Sequence, residues 1–93
     1  MAVSVQDDSE HSRYELRVDE MVVGVVDYVL NGSTIVFSHT EVEPDRRGQG
    51  LAGILVRAAL EDARDQGRSV VAQCEYVRDF IEANPEYRHL LAP

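Results

Sequence analysis

The sequence predicts an α+β domain with a mixed sheet: three antiparallel strands, then a strand–helix–strand unit, then short C-terminal helices. Three observations predict it. Up to Val42 the apolar residues read as strands, alternating with charged ones over Arg13–Val18 and nearly continuous over Met21–Leu30. From Gln49 they recur at a helical period, and the glycine-rich turn Arg47-Gly48-Gln49-Gly50 marks the change. Ninety-three residues allow one domain with one core.

Residues 1–12 are polar and acidic and are expected to form a flexible segment ahead of a single domain over 13–93. In Arg13–Val18, Tyr14, Leu16 and Val18 alternate with charged residues, which predicts a strand with one buried face. A tight reversal at Asp19-Glu20 leads into Met21–Leu30, whose valine-rich run reads as a central strand. Asn31-Gly32 predicts a type I′ hairpin, with positive φ at both residues, leading into a strand from about Thr34 to Val42. Between Gln49 and Gln66 the apolar residues Leu51, Ile54, Leu55, Ala58 and Ala59 line one broad helical face, and Gly67 ends the helix. Ser69–Cys74 is short and β-branched and reads as a buried strand, parallel to the third strand because a helix crosses between them. A helix over Glu75–Ala83 stops at Asn84-Pro85, and Pro85 opens a last short helix through Leu91.

Composition excludes several functions. The fractions, 44% apolar and 28% charged, are those of an ordinary soluble domain, and no run approaches the roughly 20 apolar residues that cross a bilayer. No basic segment followed by an apolar one opens the chain, so a cytoplasmic location is expected. The single Cys74 has no partner for a disulfide or a zinc site; no metal is expected. A net charge of -8 repels a nucleic-acid backbone, and the arginines are scattered except for Arg46-Arg47. The acidic balance provides solubility, or steers a cationic acceptor such as an amine. Oligomeric state is left open by the sequence.

The glycines stand between a strand and a helix. The first N–H groups of a helix lack internal acceptors and the macrodipole adds partial positive charge, so this position favours an anion. Gly48 and Gly50 clear side chains from the approach of a pyrophosphate, and Arg46 and Arg47 add charge. A ligand-free tight turn would use the same glycines, so spacing alone leaves both readings open. A P-loop is excluded because no Gly-Lys-Ser/Thr follows, and a dinucleotide fold would need a third glycine and more chain.

The run from His39 to Ala52, His-Thr-Glu-Val-Glu-Pro-Asp-Arg-Arg-Gly-Gln-Gly-Leu-Ala, resembles the acetyl-CoA motif of the GNAT superfamily, Arg/Gln-x-x-Gly-x-Gly/Ala, through Arg47, Gly50 and Ala52. More narrowly, the chain is similar to short single-domain GNAT-like N-acetyltransferases. These combine His-Thr-Glu-Val, Gly-x-Gly, a lone cysteine before x-Tyr-Val, and Pro-Glu-Tyr, matched here by Cys74–Val77 and Pro85–Tyr87. The resemblance spans about Tyr14 to Leu91. It implies an acetyl-CoA-dependent transferase acting on an amine of a small molecule or protein. It also implies that the strand ending at Val42 bonds the pantetheine arm and that the amides of Arg47, Gly48, Gln49, Gly50, Leu51 and Ala52 hold the pyrophosphate. Two departures stand out. The turn at Asp19-Glu20 replaces the helices that wall the acceptor site in larger members, and Asn84 stands where the short family has histidine before Pro-Glu-Tyr.

Transfer to an amine needs a base for the amine proton and stabilisation of the departing thiolate. Cys74 lies at the end of a parallel strand and just before a helix, where a thiol pKa falls; it is a candidate nucleophile, or a small hydrophobe packed beside Val70 and Ala72. His39 is expected on the strand face of Ile35, Phe37 and Glu41, as a base, an activator of Cys74, or a structural residue. Glu41 orients His39, acts as base itself, or is a strand charge. Tyr76 either protonates the leaving thiolate or packs on its helix. Beside the transferase stands a second function class, a CoA-binding or interaction module with little or no catalysis.

Overall fold

In a computed structural model, which describes residues 2–93, five strands and two α-helices build a two-layer domain. The strands are β1 (Val3–Asp8), β2 (Arg13–Val18), β3 (Met21–Asn31), β4 (Thr34–Val42) and β5 (Ser69–Ala72), ordered β1-β2-β3-β4-β5 in one sheet. Neighbours run antiparallel through β4, and β5 pairs parallel to β4. Helix α1 (Leu51–Asp65) crosses over between those two strands; α2 (Glu75–Ala83) and a 3-10 turn over Pro85–Leu90 follow. No described helix is long and apolar enough to cross a membrane.

The first correction lies at the N-terminus. Residues 3–8, expected to be flexible, form the edge strand β1, so four antiparallel strands open the fold rather than three. Val3 and Val5 pack against the core, and the Ala2 amide donates to Asp19 Oδ1 at 3.0 Å. The two early turns also exchange character. Asp19 and Glu20 both take positive φ, 49° and 72°, between the paired residues Val18 and Met21. The β3–β4 turn instead consists of Gly32 and Ser33, with only Gly32 positive at 60°; Asn31 pairs with Thr34 inside the ladder. A turn with glycine first thus replaces the expected Asn-Gly type I′ turn.

Tyr14, Leu16, Val26, Phe37, Leu55, Leu60 and Val70 share one buried cluster between the sheet and α1, and Val77, Ile81 and Tyr87 extend it toward the C-terminus. Two hydroxyls are bound by carboxylates: Tyr14 donates to Asp62 of α1 at 2.5 Å, clasping the layers, and Tyr28 donates to Asp7 of β1 at 2.6 Å, within the sheet. Burial, reinforced by the adjoining carboxylate, pushes both hydroxyls above the usual tyrosine range. The other face of the sheet is charged. There Glu15, 3% exposed, is held by Arg13 and Arg17, each at 2.8 Å.

A β-bulge in β4 decides where the site lies. Phe37 pairs with Tyr28 and His39 with Asp27, so Ser38 is an extra residue, and its hydroxyl donates to the Asp27 carbonyl at 3.3 Å. Before the bulge Ile35 and Phe37 are buried; after it Thr40 and Val42 turn inward while His39 and Glu41 are exposed. His39 and Glu41 therefore do not share the face of Ile35 and Phe37, because one inserted residue reverses the alternation.

Candidate functional site

Strands β4 and β5 part immediately past the bulge. Their ladder ends at Phe37 and Ala72, where the Phe37 carbonyl accepts the amides of both Gln73 and Cys74 at 3.1 and 3.0 Å. Beyond that point the β5-side edge of residues 39–42 has no strand partner among the described residues. A cavity of about 480 Å³ occupies the gap. It is lined by His39, Thr40, Glu41 and Val42 from β4, by Arg46, Arg47, Gly48, Gly50, Leu51 and Ala52 from the loop and α1, and by Tyr76 from α2. Of the residues singled out between Arg46 and Ala52, only Gln49 is outside the lining.

The loop is shaped for an anion. Gly48 and Gly50 take φ of 81° and 75°, and a Cβ built on either would meet nothing within 4 Å, so the space above them is open. Gly50 caps α1 without a side-chain hydrogen bond, and the first helical bond runs from the Ile54 amide to the Gly50 carbonyl. The amides of Leu51, Ala52 and Gly53 are left at a helix N-terminus with no acceptor within the helix. Arg47 also braces the loop, since its Nε donates to the Val42 carbonyl at 3.1 Å and ties the loop to the end of β4. Gly24 lets β3 approach the same strand end, since a Cβ there would lie 3.1 Å from Val42 Cγ2 and 3.2 Å from the Glu41 carbonyl.

Cys74 is the N-cap of α2 rather than the last residue of β5, which ends at Ala72. Its thiol donates to Thr40 Oγ1 at 3.3 Å, and its side chain packs partly against the core. Burial pushes the thiol up, but the Thr40 hydroxyl and the amides of Val77, Tyr76 and Thr40 favour the thiolate more, and the pKa falls below the ordinary thiol value. Thr40, which the sequence marked only as part of the His-Thr-Glu-Val run and gave no role, thus links Cys74 to the cavity. His39 Nε2 instead lies 3.4 Å from Glu41 Oε2, both side chains being more than half exposed. These two sit on the charged sheet face, where cross-strand pairing places Arg13, Asp27 and His39 in one row and Glu15, Val25 and Glu41 in the next. Tyr76 is 41% exposed and faces the cavity rather than the core.

Known proteins share this chain's sequence pattern and its fold. Residues 13–90 match the profile of the GCN5-related N-acetyl-transferase family. Protein NATD1 of Bos taurus is 30% identical over 97 residues, which span 98% of this chain and 84% of that protein. The Mus musculus protein of the same name is 29% identical, spanning 98% of this chain and 86% of that protein. The solution structure of a GCN5-like protein from Staphylococcus aureus superimposes with a TM-score of 0.73 at 19% identity, covering 96% of this chain and 87% of that one, which attests the fold. By its profile match over most of its length, the chain belongs to the GCN5-related N-acetyl-transferase family.

Proposed function

We propose that the protein binds acetyl-CoA in the β4–α1 cavity and transfers the acetyl group to an amine. One observation carries the reading: the uncapped N-terminus of α1 and the unpartnered edge of β4 line the same cavity. The amides of Leu51, Ala52 and Gly53, with those of Gly48, Gln49 and Gly50, suit a pyrophosphate, whereas the Arg47 amide donates to the Pro44 carbonyl at 3.4 Å; Arg46 and Arg47 add positive charge through their side chains. The free edge of residues 39–42 suits the amide groups of an extended pantetheine arm, much as it would suit another strand. Acetyl-CoA bound there supplies an activated thioester carbonyl.

The acceptor approaches from the charged sheet face, where the carboxylates of Asp27 and Glu41 draw a cationic amine and His39 or Glu41 takes its proton. Cys74 offers a covalent route. Its thiolate bonds to the acetyl carbon as the coenzyme sulfur leaves and is protonated; the amine then takes the acetyl group and the Cys74 thiolate is restored. Direct attack by the amine on the thioester is the other route.

Titration of the full chain with acetyl-CoA and CoA, followed by transfer assays on wild type and Cys74→Ser, tests the reading. Binding below millimolar ligand with acetyl transfer is the expected result, and intact-mass detection of one acetyl group on wild type but not on Cys74→Ser marks the covalent route. Equal turnover by Cys74→Ser removes that route and leaves His39 or Glu41 as base. Binding without transfer to any amine identifies a CoA-binding module. No binding at millimolar ligand defeats both.

A further inference from the structure

We propose that the acceptor is a linear aliphatic polyamine lying along the charged sheet face of β4, its reacting nitrogen at His39 and its further ammonium groups at Glu41 and Glu43. The proposal rests on the acetyl-transfer reading above and names the substrate class of that site. A second cavity, of about 210 Å³, opens between the ends of β3 and β4 and is walled by Val22, Val25, Glu41, Glu43 and Pro44. Glu41 also lines the cavity assigned to acetyl-CoA, so the two cavities meet at that residue.

The alternation of β4 continues past its last residue. Glu43 keeps an extended backbone, with φ of -51° and ψ of 138°, and its amide donates to the Val23 carbonyl at 2.8 Å. His39, Glu41 and Glu43 are exposed while Val42 is buried, which puts three polar side chains at every second position on one face. Positions two apart on a strand are separated by about 6.7 Å, close to the span between the nitrogens of extended 1,4-diaminobutane. Val22 and Val25, one exposed and one half-buried, give the intervening methylenes an apolar surface.

No cation of the protein competes for these carboxylates. Arg13 and Arg17 are both held at 2.8 Å by Glu15, itself 3% exposed. No arginine among the described residues pairs with Asp27, Glu41 or Glu43, and no basic side chain lines the smaller cavity. Asp27, directly across from His39, adds another carboxylate to the same face. A second ammonium on the acceptor is therefore attracted and a carboxylate, as in an amino acid, is repelled. On the direct route the nitrogen at His39 gives one proton to the imidazole and bonds to the acetyl carbon. The carbon–sulfur bond breaks, and the coenzyme sulfur leaves with the nitrogen's second proton. Glu41, 3.4 Å from the His39 ring, steadies the imidazolium and holds the next ammonium.

Transfer assays on the full chain with acetyl-CoA compare n-butylamine, 1,4-diaminobutane and the triamine N-(3-aminopropyl)-1,4-diaminobutane, with 4-aminobutanoate carrying the opposite end charge. An exposed ion pair is worth about threefold, so kcat/KM is expected to rise about threefold with each added ammonium, through KM, and the preference to shrink in high salt. The aminobutanoate should fall below butylamine, and Glu43→Gln should abolish the triamine's advantage over the diamine. The triamine alone is expected to shift the backbone resonances of Val22 and Val25. Equal turnover of butylamine and triamine, an advantage that survives in Glu43→Gln, preferred transfer to a lysine-rich peptide, or no shift at Val22 and Val25 each overturn the polyamine assignment. Calorimetry with acetyl-CoA separates that failure from a deeper one: coenzyme binding without the preference overturns the assignment alone, and absence of coenzyme binding overturns the transfer reading itself.

Discussion

The two halves of β4 behave as different elements although they are one strand. Residues 34–37 pair on both sides, with β3 and with β5, and bury Ile35 and Phe37 in the core. Residues 39–42 pair only with β3, expose His39 and Glu41, and line the cavity with the edge they leave free. Ser38 separates them. A single inserted residue reverses which side chains face the core and coincides with the parting of β5, so packing and binding are divided within nine residues.

Phe37→Ala should have the largest effect, at about 4 kcal/mol, since Phe37 is 1% exposed and packs 6.2 Å from the Tyr14 ring. Urea unfolding measures it. His39→Ala, two residues on and exposed, should stay within about 0.5 kcal/mol of wild type. Similar losses at both positions would mean that the bulge does not separate core from site.

What could be read beforehand followed the strength of the local signal. The change of period at Gln49, the glycines and the apolar stripe of α1 are contiguous in sequence and recur in the structure, with α1 starting two residues later at Leu51 and with one correction: Ile54, expected on the buried face, is exposed, and Val56, Leu60 and Ala63 are buried beside Leu51, Leu55 and Ala59. Strand β1 escaped because only Val3 and Val5 mark it as apolar, and its pairing comes from β2 rather than from its own composition. The bulge escaped for a different reason. Ser38 continues an ordinary alternation, and what makes it an extra residue is the register of β3 opposite, a partner far along the chain. Everything downstream of that register moved with it: the face of His39 and Glu41, and the meeting of Thr40 with Cys74 across 34 residues.

The core half of β4 can also be probed through pH. Tyr14, which clasps α1 over Phe37, and Tyr28, paired opposite Phe37, keep their protons above the pH near 10 where free tyrosine ionises. The unfolded chain loses those protons first, so the stability they contribute is full below about pH 10 and is lost as pH rises further. Tyr14→Phe is expected to cost about 2 kcal/mol at pH 7, a hydrogen bond to a charged acceptor, and to flatten the fall above pH 10. Thermal melts from pH 8 to 11 would show it. A Tyr14→Phe curve parallel to wild type would place the alkaline sensitivity elsewhere.

The smallest effect concerns the site half, and it sharpens the comparison most. If residues 39–42 serve chemistry rather than packing, Thr40→Val should barely change stability, by less than about 1 kcal/mol, because valine has nearly the same shape and the position is only partly buried. It should nevertheless change Cys74. The Thr40 hydroxyl is one of the groups that favour the thiolate against burial, so removing it raises the thiol pKa and slows alkylation at neutral pH severalfold. The pH profile of iodoacetamide modification reads this directly: wild type should reach its half-maximal rate below the value near 8.5 of a free cysteine, and Thr40→Val at a higher pH than wild type. Coincident profiles would assign the thiolate to the backbone amides of Tyr76, Val77 and Thr40, and the Thr40 side chain would then be a packing group like those on the other side of the bulge.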